Sequence, residues 1–483
     1  MPSKTLIALS ATAAIGMATA VPVAAQKVRT ISPSSMQAAA QQHPQIVQEF
    51  GGTIDANRAA YVTNVGRKVA QYSNVQGGGN AYTITTLNSP VLNAFAVPGG
   101  YVYITRQLLG LMDDEAELAS VLGHEVGHIA ANHSKQRQNR GLLSQLGAIL
   151  VGAVTGSSQL GQLAGQVGQG FLLSYSRSQE YEADALGVRY MAAAGYDPTA
   201  SASLLASLGE ATALDDRVNG RDARNTPSWA RTHPLSADRV KRANQVVAKT
   251  PRSGGAVRNR DQFLNMVDGL LYDDDPKQGV VDGQQFLHPD LRLKFSVPQG
   301  FGIQNGTQAV SITGSSGQAL FGGGAYSGSL SNYITQVYQS LAGQTQINVP
   351  QPRSTTVNGI PAAYSTARVN TQQGQVDLTV FAYQFDPGRI YHFAMMTRAG
   401  TGIGPFNTMV GSLTRMSANE AAAIRPRVID VVTVRAGDTV QSLAGRMAYG
   451  NYQMERFLAL NSLTANSRLT PGQKVKLVVY GSR

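Results

Sequence analysis

The chain has 483 residues, enough for two to four domains with cores of their own, and carries a formal charge of +11. It contains no cysteine, which excludes disulfides, thiolate metal ligands and a lipid-modified N-terminal cysteine; a bound metal would have to be held by His, Asp or Glu. No run of Lys and Arg is dense enough for a nucleic-acid footprint, so nucleic acid is not expected as a partner, while the positive excess suits contact with an anionic lipid or polymer.

Lys4 precedes an apolar run from Thr5 to Met17, and small residues then lead to Val23, Ala24 and Ala25. That order predicts a secretory signal peptide over 1–25, cut after Ala25 with Ala20 as the rival position. A membrane anchor is disfavoured because the run is short and Pro22 breaks it.

The next stretch, 26–250, reads as one mainly helical domain with a small sheet. Helices are predicted over Gln37–Phe50 and Asn57–Tyr72, the second with Ala60, Val62, Val65, Val69 and Tyr72 as core positions. Tyr82–Leu87 alternates like a strand, and Pro98-Gly99-Gly100 makes a turn into a short β segment ending at Thr105. Gly100, Tyr101, Val102 and Tyr103 are candidates for a free edge on which an extended substrate backbone could pair, an ordinary hairpin being the equal alternative.

Leu118 to His133 reads as a helix containing His124-Glu125-x-x-His128. At ~3.6 residues per turn the two imidazoles stack on one face and can reach one Zn²⁺, and Glu125 can act as general base on the attacking water. Asp114 with Glu117 forms a capping box, and Leu118, Val121, Leu122, Val126 and Ile129 supply the buried stripe. The nearly uncharged stretch 141–173 reads either as a lid of apolar helices over the cleft or as plain core. A further helix from Tyr175 to Met191 stops at Gly195 and Pro198; on it Glu180 and Asp184 share a face and Glu182 points elsewhere. A zinc held by two His needs a third ligand, which a carboxylate from a downstream helix can supply, and Asp184 is placed to fix the tautomer of a ligating imidazole. His233, beside the only tryptophan, is a candidate transition-state donor or an ordinary loop histidine.

Beyond this domain, 251–283 reads as a linker with an exposed acidic loop at Asp273–Asp275. The segment 284–416 reads as an α+β module without a catalytic constellation, 417–428 as a second linker, and 429–483 as a compact strand-helix-helix-strand unit.

Three stretches carry family resemblances. His124-Glu125-x-x-His128 with Ser176-Arg177-x-x-Glu180-x-x-x-Asp184, together with Asn93 to Gly100 and Thr232-His233-Pro234 followed by Arg239, resembles the zinc endopeptidases related to HtpX and the CAAX prenyl proteases, over about residues 35–250. The resemblance implies a mainly α, zincin-type domain with a small edge sheet and one Zn²⁺ per chain held by His124, His128 and Glu180. It also implies Asp184 behind the ligands, and His233 and Arg239 near the site. Val434-x-x-Gly437-Asp438-Thr439 and Leu469-x-Pro471-Gly472-Gln473 resemble a LysM domain, which implies peptidoglycan binding, with Gly437, Asp438, Thr439 and Asn461 as candidate glycan contacts. The expectation is a periplasmic zinc metalloendopeptidase acting on misfolded or misassembled envelope proteins, tethered to peptidoglycan, with outer-membrane assembly machinery as a candidate partner. The alternative is a wall-bound chaperone whose protease cleft is closed.

Overall fold

The computed structural model describes residues 28–133, 175–219, 229, 233, 237–251, 255–307, 309–342, 347–371 and 374–482. The signal peptide expected at 1–25 and the apolar stretch 141–173 lie outside the described residues.

Two helices open the fold, α1 (Pro33–Glu49) and α2 (Ala56–Ala70), each started by a side-chain cap: Ser32 Oγ accepts from Ser35 N and Asp55 Oδ1 from Arg58 N. In α2, Val62, Val65 and Val69 are buried as expected, whereas Ala60 and Tyr72 face solvent. Gly66 joins the buried side instead, because a Cβ there would lie 2.3 Å from Ile84 Cδ1.

Strands β1 (Thr83–Leu87), β2 (Ala94–Val97) and β3 (Tyr101–Thr105) form a sheet in the order β1-β3-β2, β3 running parallel to β1 and antiparallel to β2. Gly99 and Gly100 turn the chain between β2 and β3 with φ of +107° and +89°, and a Cβ on Gly100 would meet Ala81 O at 2.3 Å. This corrects the edge-strand expectation. Tyr101, Val102 and Tyr103 lie in the central strand, with backbone groups committed on both sides, and Gly100 is packed into the turn before it. Among the described residues, β2 has no strand on its outer side.

After α3 (Arg106–Leu111) comes α4 (Glu115–Ala130), the helix with both histidines. Asp114 caps it, accepting from Glu117 N at 3.0 Å; the reciprocal half of the box is replaced, the Glu117 carboxylate accepting from Asp113 N at 2.9 Å and Ser203 Oγ at 2.8 Å. Glu115 to His128 are buried without exception, so α4 is enclosed on all sides rather than along one stripe, and Ile129 is only half-buried. Helices α5 (Arg177–Ala193) and α6 (Ala200–Asn219) pack against it together with α2, and α7 (Ala237–Lys249) packs on α5 and α6.

Residues 251–283 are not the expected linker. Helix α8 (Arg260–Val267) sends Phe263, Leu264 and Val267 into the same core as α2 and α4. Strand β4 (Leu271–Tyr272) joins the C-terminal sheet, and β5 (Val280–Asp282) starts a four-stranded sheet with β6 (Gln285–His288), β7 (Leu293–Ser296) and β15 (Thr414–Arg415).

The middle domain is built on a seven-stranded antiparallel sheet, ordered β11-β12-β13-β14-β10-β9-β8. Its strands are β8 (Gly302–Asn305), β9 (Val310–Gly314), β10 (Gly317–Ala325), β11 (Arg353–Val357), β12 (Ile360–Thr371), β13 (Gly374–Asp386) and β14 (Arg389–Arg398). Alternation along β13 divides two cores: Leu378, Val380 and Ala382 pack with Ile334, Tyr338 and Leu341 of α9 (Leu330–Ala342), while Phe381, Tyr383 and Phe385 meet the phenylalanines of the smaller sheet. Helix α10 (Asn407–Ser412) closes that side, and α11 (Ala418–Ala423) occupies part of the second expected linker.

The C-terminal unit is β16 (Arg427–Thr433), α12 (Val440–Ala444), α13 (Gln453–Leu460) and β17 (Lys474–Tyr480), capped at α12 by Thr439, with the sheet ordered β17-β16-β4. It shares a core with the first domain: Leu443, Phe457, Val475 and Leu477 belong to the cluster that includes Leu108, Leu111 and Leu118. Lys476 is fully buried at this junction. Its Nζ donates to Gly110 O (3.1 Å), Leu111 O (2.8 Å) and Met112 O (2.5 Å) and lies 3.4 Å from Asp113 Oδ1. Among the described residues no helix is long and apolar enough to cross a membrane.

Candidate metal centre

Glycines bring the two ligand-bearing helices together. Where α4 crosses α5, a Cβ on Gly187 would sit 2.8 Å from His124 N, one on Gly123 3.1 Å from Gly187 O, and one on Gly127 3.2 Å from Ala183 O. The backbones therefore approach so closely that a side chain at Gly187 would push the helices apart, and the face of α4 carrying His124 and His128 meets the face of α5 carrying Glu180 and Asp184. Ser176 and Gln179 form a reciprocal capping box that starts α5 one turn before Glu180.

The side chains converge in a buried pocket. His124 Nε2 and His128 Nε2 are 2.9 Å apart, with Glu180 Oε2 3.6 Å from the first and Glu180 Oε1 3.5 Å from the second. His233 Nδ1 lies 3.2 Å from His124 Nε2 and 3.0 Å from Glu180 Oε1. One ligand atom from each of His124, His128, Glu180 and His233 falls within 4.8 Å of the others, and all four residues are buried. His124 Nδ1 is 2.9 Å from Asp184 Oδ1. A carboxylate only accepts, so that nitrogen carries the proton and Nε2 is left with a bare lone pair aimed at the group. Glu125 is completely buried, and neither of its oxygens has a hydrogen-bond partner among the described residues; Oε1 is 3.5 Å from His233 Nε2. Buried polar atoms without partners are costly, so a bare carboxylate beside facing imidazole lone pairs is the donor set a divalent cation and its water satisfy.

Arg239 braces the acids from behind. Its Nη1 is 2.7 Å from Glu180 Oε2, while Nε and Nη2 donate to the two oxygens of Asp184 at 2.9 and 2.7 Å. Burial opposes ionisation of both carboxyls. Neighbouring His233 and His128 outweigh it at Glu180, which is held well below the usual range, and His124 and Arg239 do so at Asp184, which is also lowered. Burial would depress His124, but its contact with Asp184 and the charge of Glu180 more than reverse this; His128, buried beside His124, stays well below the ordinary imidazole value. Glu125 is shifted upward, chiefly by burial, which makes its carboxylate a stronger base.

The ring planes are held by aromatic partners. Tyr175 stacks on His128 (3.7 Å between centroids, 17° between planes) and Trp229 on His233 (4.1 Å, 23°). Trp229 N donates to Leu92 O at 3.0 Å, which ties the His233 segment to the start of β2. A pocket lined by Val121, Leu204, Leu205, Leu208 and Trp229 opens beside His124.

The structure thus brings together His124, Glu125, His128, Glu180, Asp184, His233 and Arg239, all named from sequence. It leaves out Gly100 to Tyr103, which are interior to the sheet. Of the C-terminal candidates, Gly437, Asp438 and Thr439 lie on an exposed loop, but Asn461 is not a surface contact. Asn461 is 5 % exposed, and its amide is used up on Phe457 O, Lys476 O and Lys476 N. Sequence reading missed Tyr175, Trp229 as a stacking ring, and the pair His133–Glu182, whose signal was a histidine five residues past His128.

Residues 56–247 match the profile of Peptidase family M48, and 432–478 that of the LysM domain. The chain is 32% identical over 164 residues to the mitochondrial metalloendopeptidase OMA1 of Arabidopsis thaliana, covering 34% of this chain and 31% of that protein. It is 30% identical over 200 residues to the beta-barrel assembly-enhancing protease of Escherichia coli O157:H7, covering 38% and 39%. To the OMA1 metalloendopeptidase of Schizosaccharomyces pombe it is 27% identical over 205 residues, covering 42% and 58%. The chain thus spans about three tenths to three fifths of the length of these relatives, and the part matching the family model, 56–247, holds the converging His and Glu side chains. Residues 56–247, which include the buried His and Glu donor group, are thus a peptidase family M48 domain, followed by a C-terminal LysM domain.

Proposed function

We propose that this chain is a zinc-dependent endopeptidase of the cell envelope, in which His124, His128 and Glu180 hold one Zn²⁺. The carrying observation is the 2.9 Å approach of two imidazole nitrogens, beside the Glu180 carboxylate and the partnerless Glu125. Bound zinc supplies Lewis-acid polarisation of the scissile carbonyl and acidifies water. Glu125, made more basic by burial, takes a proton from the attacking water and delivers it to the leaving amine. Asp184 keeps His124 in its Nε2-presenting tautomer, and Arg239 braces Glu180 and Asp184 from behind. An extended substrate backbone would pair along the outer side of β2 rather than on β3, since no strand lies on that side among the described residues.

The envelope location rests on the signal peptide read at 1–25 and on the LysM domain, which would hold the enzyme at peptidoglycan through the exposed Gly437–Thr439 loop. Misfolded or misassembled envelope proteins are the proposed substrates, and outer-membrane assembly machinery the candidate partner, following the name of the beta-barrel assembly-enhancing relatives. Glu125→Gln tests the chemistry: it should keep one metal ion per chain and lose casein cleavage, and full cleavage by that variant would end the mechanism. Binding of the whole mature chain to purified sacculi tests the tether, and failure to sediment with them would remove it.

A closed-cleft reading is favoured by one observation. His233 sits among the ligand atoms rather than at their margin, under the Trp229 ring, where it would compete for the position a substrate needs. His233→Ala separates the two: a closed cleft predicts faster cleavage, a transition-state donor predicts slower cleavage by about 10²-fold.

A further inference from the structure

The Nδ1 of His124 is oriented by a carboxylate, Asp184, whereas among the described residues no carboxylate meets the Nδ1 of His128, which instead lies 2.9 Å from the Nδ1 of His133. Two facing ring nitrogens make a hydrogen bond only if one carries a proton and the other does not. The far side of His133 decides which. Its Nε2 is 3.2 Å from Glu182 Oε2, an oxygen that only accepts, so the His133 proton sits on Nε2 and its Nδ1 is bare. The proton between the two rings then belongs to His128 Nδ1, and His128 Nε2 is left free to point at Glu180 and His124.

The local fold is built for this return contact. Helix α4 ends at Ala130, and Asn132 takes a left-handed conformation with φ +60°, which asparagine tolerates better than most residues. That single reversal folds His133 back beneath His128, where it is 1 % exposed. Tyr175 stacks on the other side of the His128 ring, so the ring is held in plane by one neighbour and in tautomer by the other.

We propose that His133 is a positioning residue that, anchored by Glu182, fixes the metal-binding tautomer of His128. The proposal rests on the zinc reading above. It separates the two imidazole ligands by the way each is held: His124 by a buried acid, His128 through a relay that ends on a side chain 56% exposed to solvent.

Zinc affinity, measured by chelator competition, and the visible absorption of the Co²⁺-loaded chain test it without reference to activity. His133→Leu removes the acceptor while keeping bulk, and should weaken zinc binding about 10–100-fold and shift the cobalt bands; His133→Asn, whose Oδ1 replaces Nδ1 as acceptor, should stay within about threefold of the parent. Glu182→Ala, at an exposed position, should fall between them and serves if His133→Leu does not fold. Unchanged affinity in His133→Leu or in Glu182→Ala, or equal loss in His133→Leu and His133→Asn, overturns the relay alone, provided the parent binds zinc and His124→Ala does not. A parent chain that binds no zinc overturns the relay and the enzyme reading together.

Discussion

Replacing Lys476 by methionine should destabilise the peptidase domain, although the residue belongs to the C-terminal LysM domain. The ammonium is 0 % exposed and sits at the carboxyl end of α3, where three main-chain carbonyls and Asp113 surround it. Two unit charges 3.4 Å apart attract by about 5 kcal/mol at an effective dielectric of about 20, and the desolvation of both ions consumes much of this. Removing one partner leaves the other charge buried and uncompensated, at a cost of about 3–5 kcal/mol. Arg260 Nη1 also lies 3.4 Å from Asp113 Oδ1, which places the expected loss near the lower end, about 3 kcal/mol. Against burial, Lys476 and Arg260 together hold Asp113 below the usual carboxyl range. A depressed acid contributes stability that is complete above the unfolded value near pH 4 and disappears as pH falls through the folded one, so the difference between parent and variant should shrink in acid. The assay is built into the chain: its single tryptophan, Trp229, is buried beside His233 in the metal centre. Urea unfolding followed by Trp229 fluorescence should show a lower midpoint in Lys476→Met, with partial recovery in Lys476→Met/Asp113→Asn. An unchanged Trp229 midpoint, with a separate early transition in far-UV signal, would mean that the LysM domain unfolds on its own and that the shared core does not couple the two.

Other outcomes follow from the same contacts. Gly187→Ala puts a methyl 2.8 Å from His124 N, so α4 and α5 must separate; the expected cost is about 1–3 kcal/mol, with lower metal occupancy by elemental analysis and normal far-UV signal. Arg239→Met leaves Glu180 and Asp184 facing each other in a buried site and should cost about 3–5 kcal/mol in melts of the metal-free chain. In that metal-free chain both carboxyls are held below their ordinary values, so their contribution is complete above about pH 4 and is lost as pH falls further. Melting temperatures across pH 2–6 should show that loss in the parent and a smaller one in Arg239→Met; parallel curves would refute the assignment.

What the amino-acid order settled by itself was everything that follows from local geometry. The pitch of a helix puts His124 over His128 and Glu180 over Asp184 whatever surrounds them, and Asp114, Ser176 and Gly195 mark helix ends through bonds and dihedral angles within a few residues. Strand positions were readable for the same reason, but their order was not: β3 became the centre of its sheet because β1 pairs with it across a parallel connection, a non-local choice. The tertiary fold alone decided that His233 joins the ligand group, that His133 and Glu182 meet behind His128, and that the supposed linker at Phe263 is core. It also turned a tail read as a separate module into part of the peptidase body, since a buried ammonium on β17 satisfies the carbonyl end of a helix more than three hundred residues earlier. Such contacts are set by which surfaces must leave water together, and no spacing within one segment encodes that.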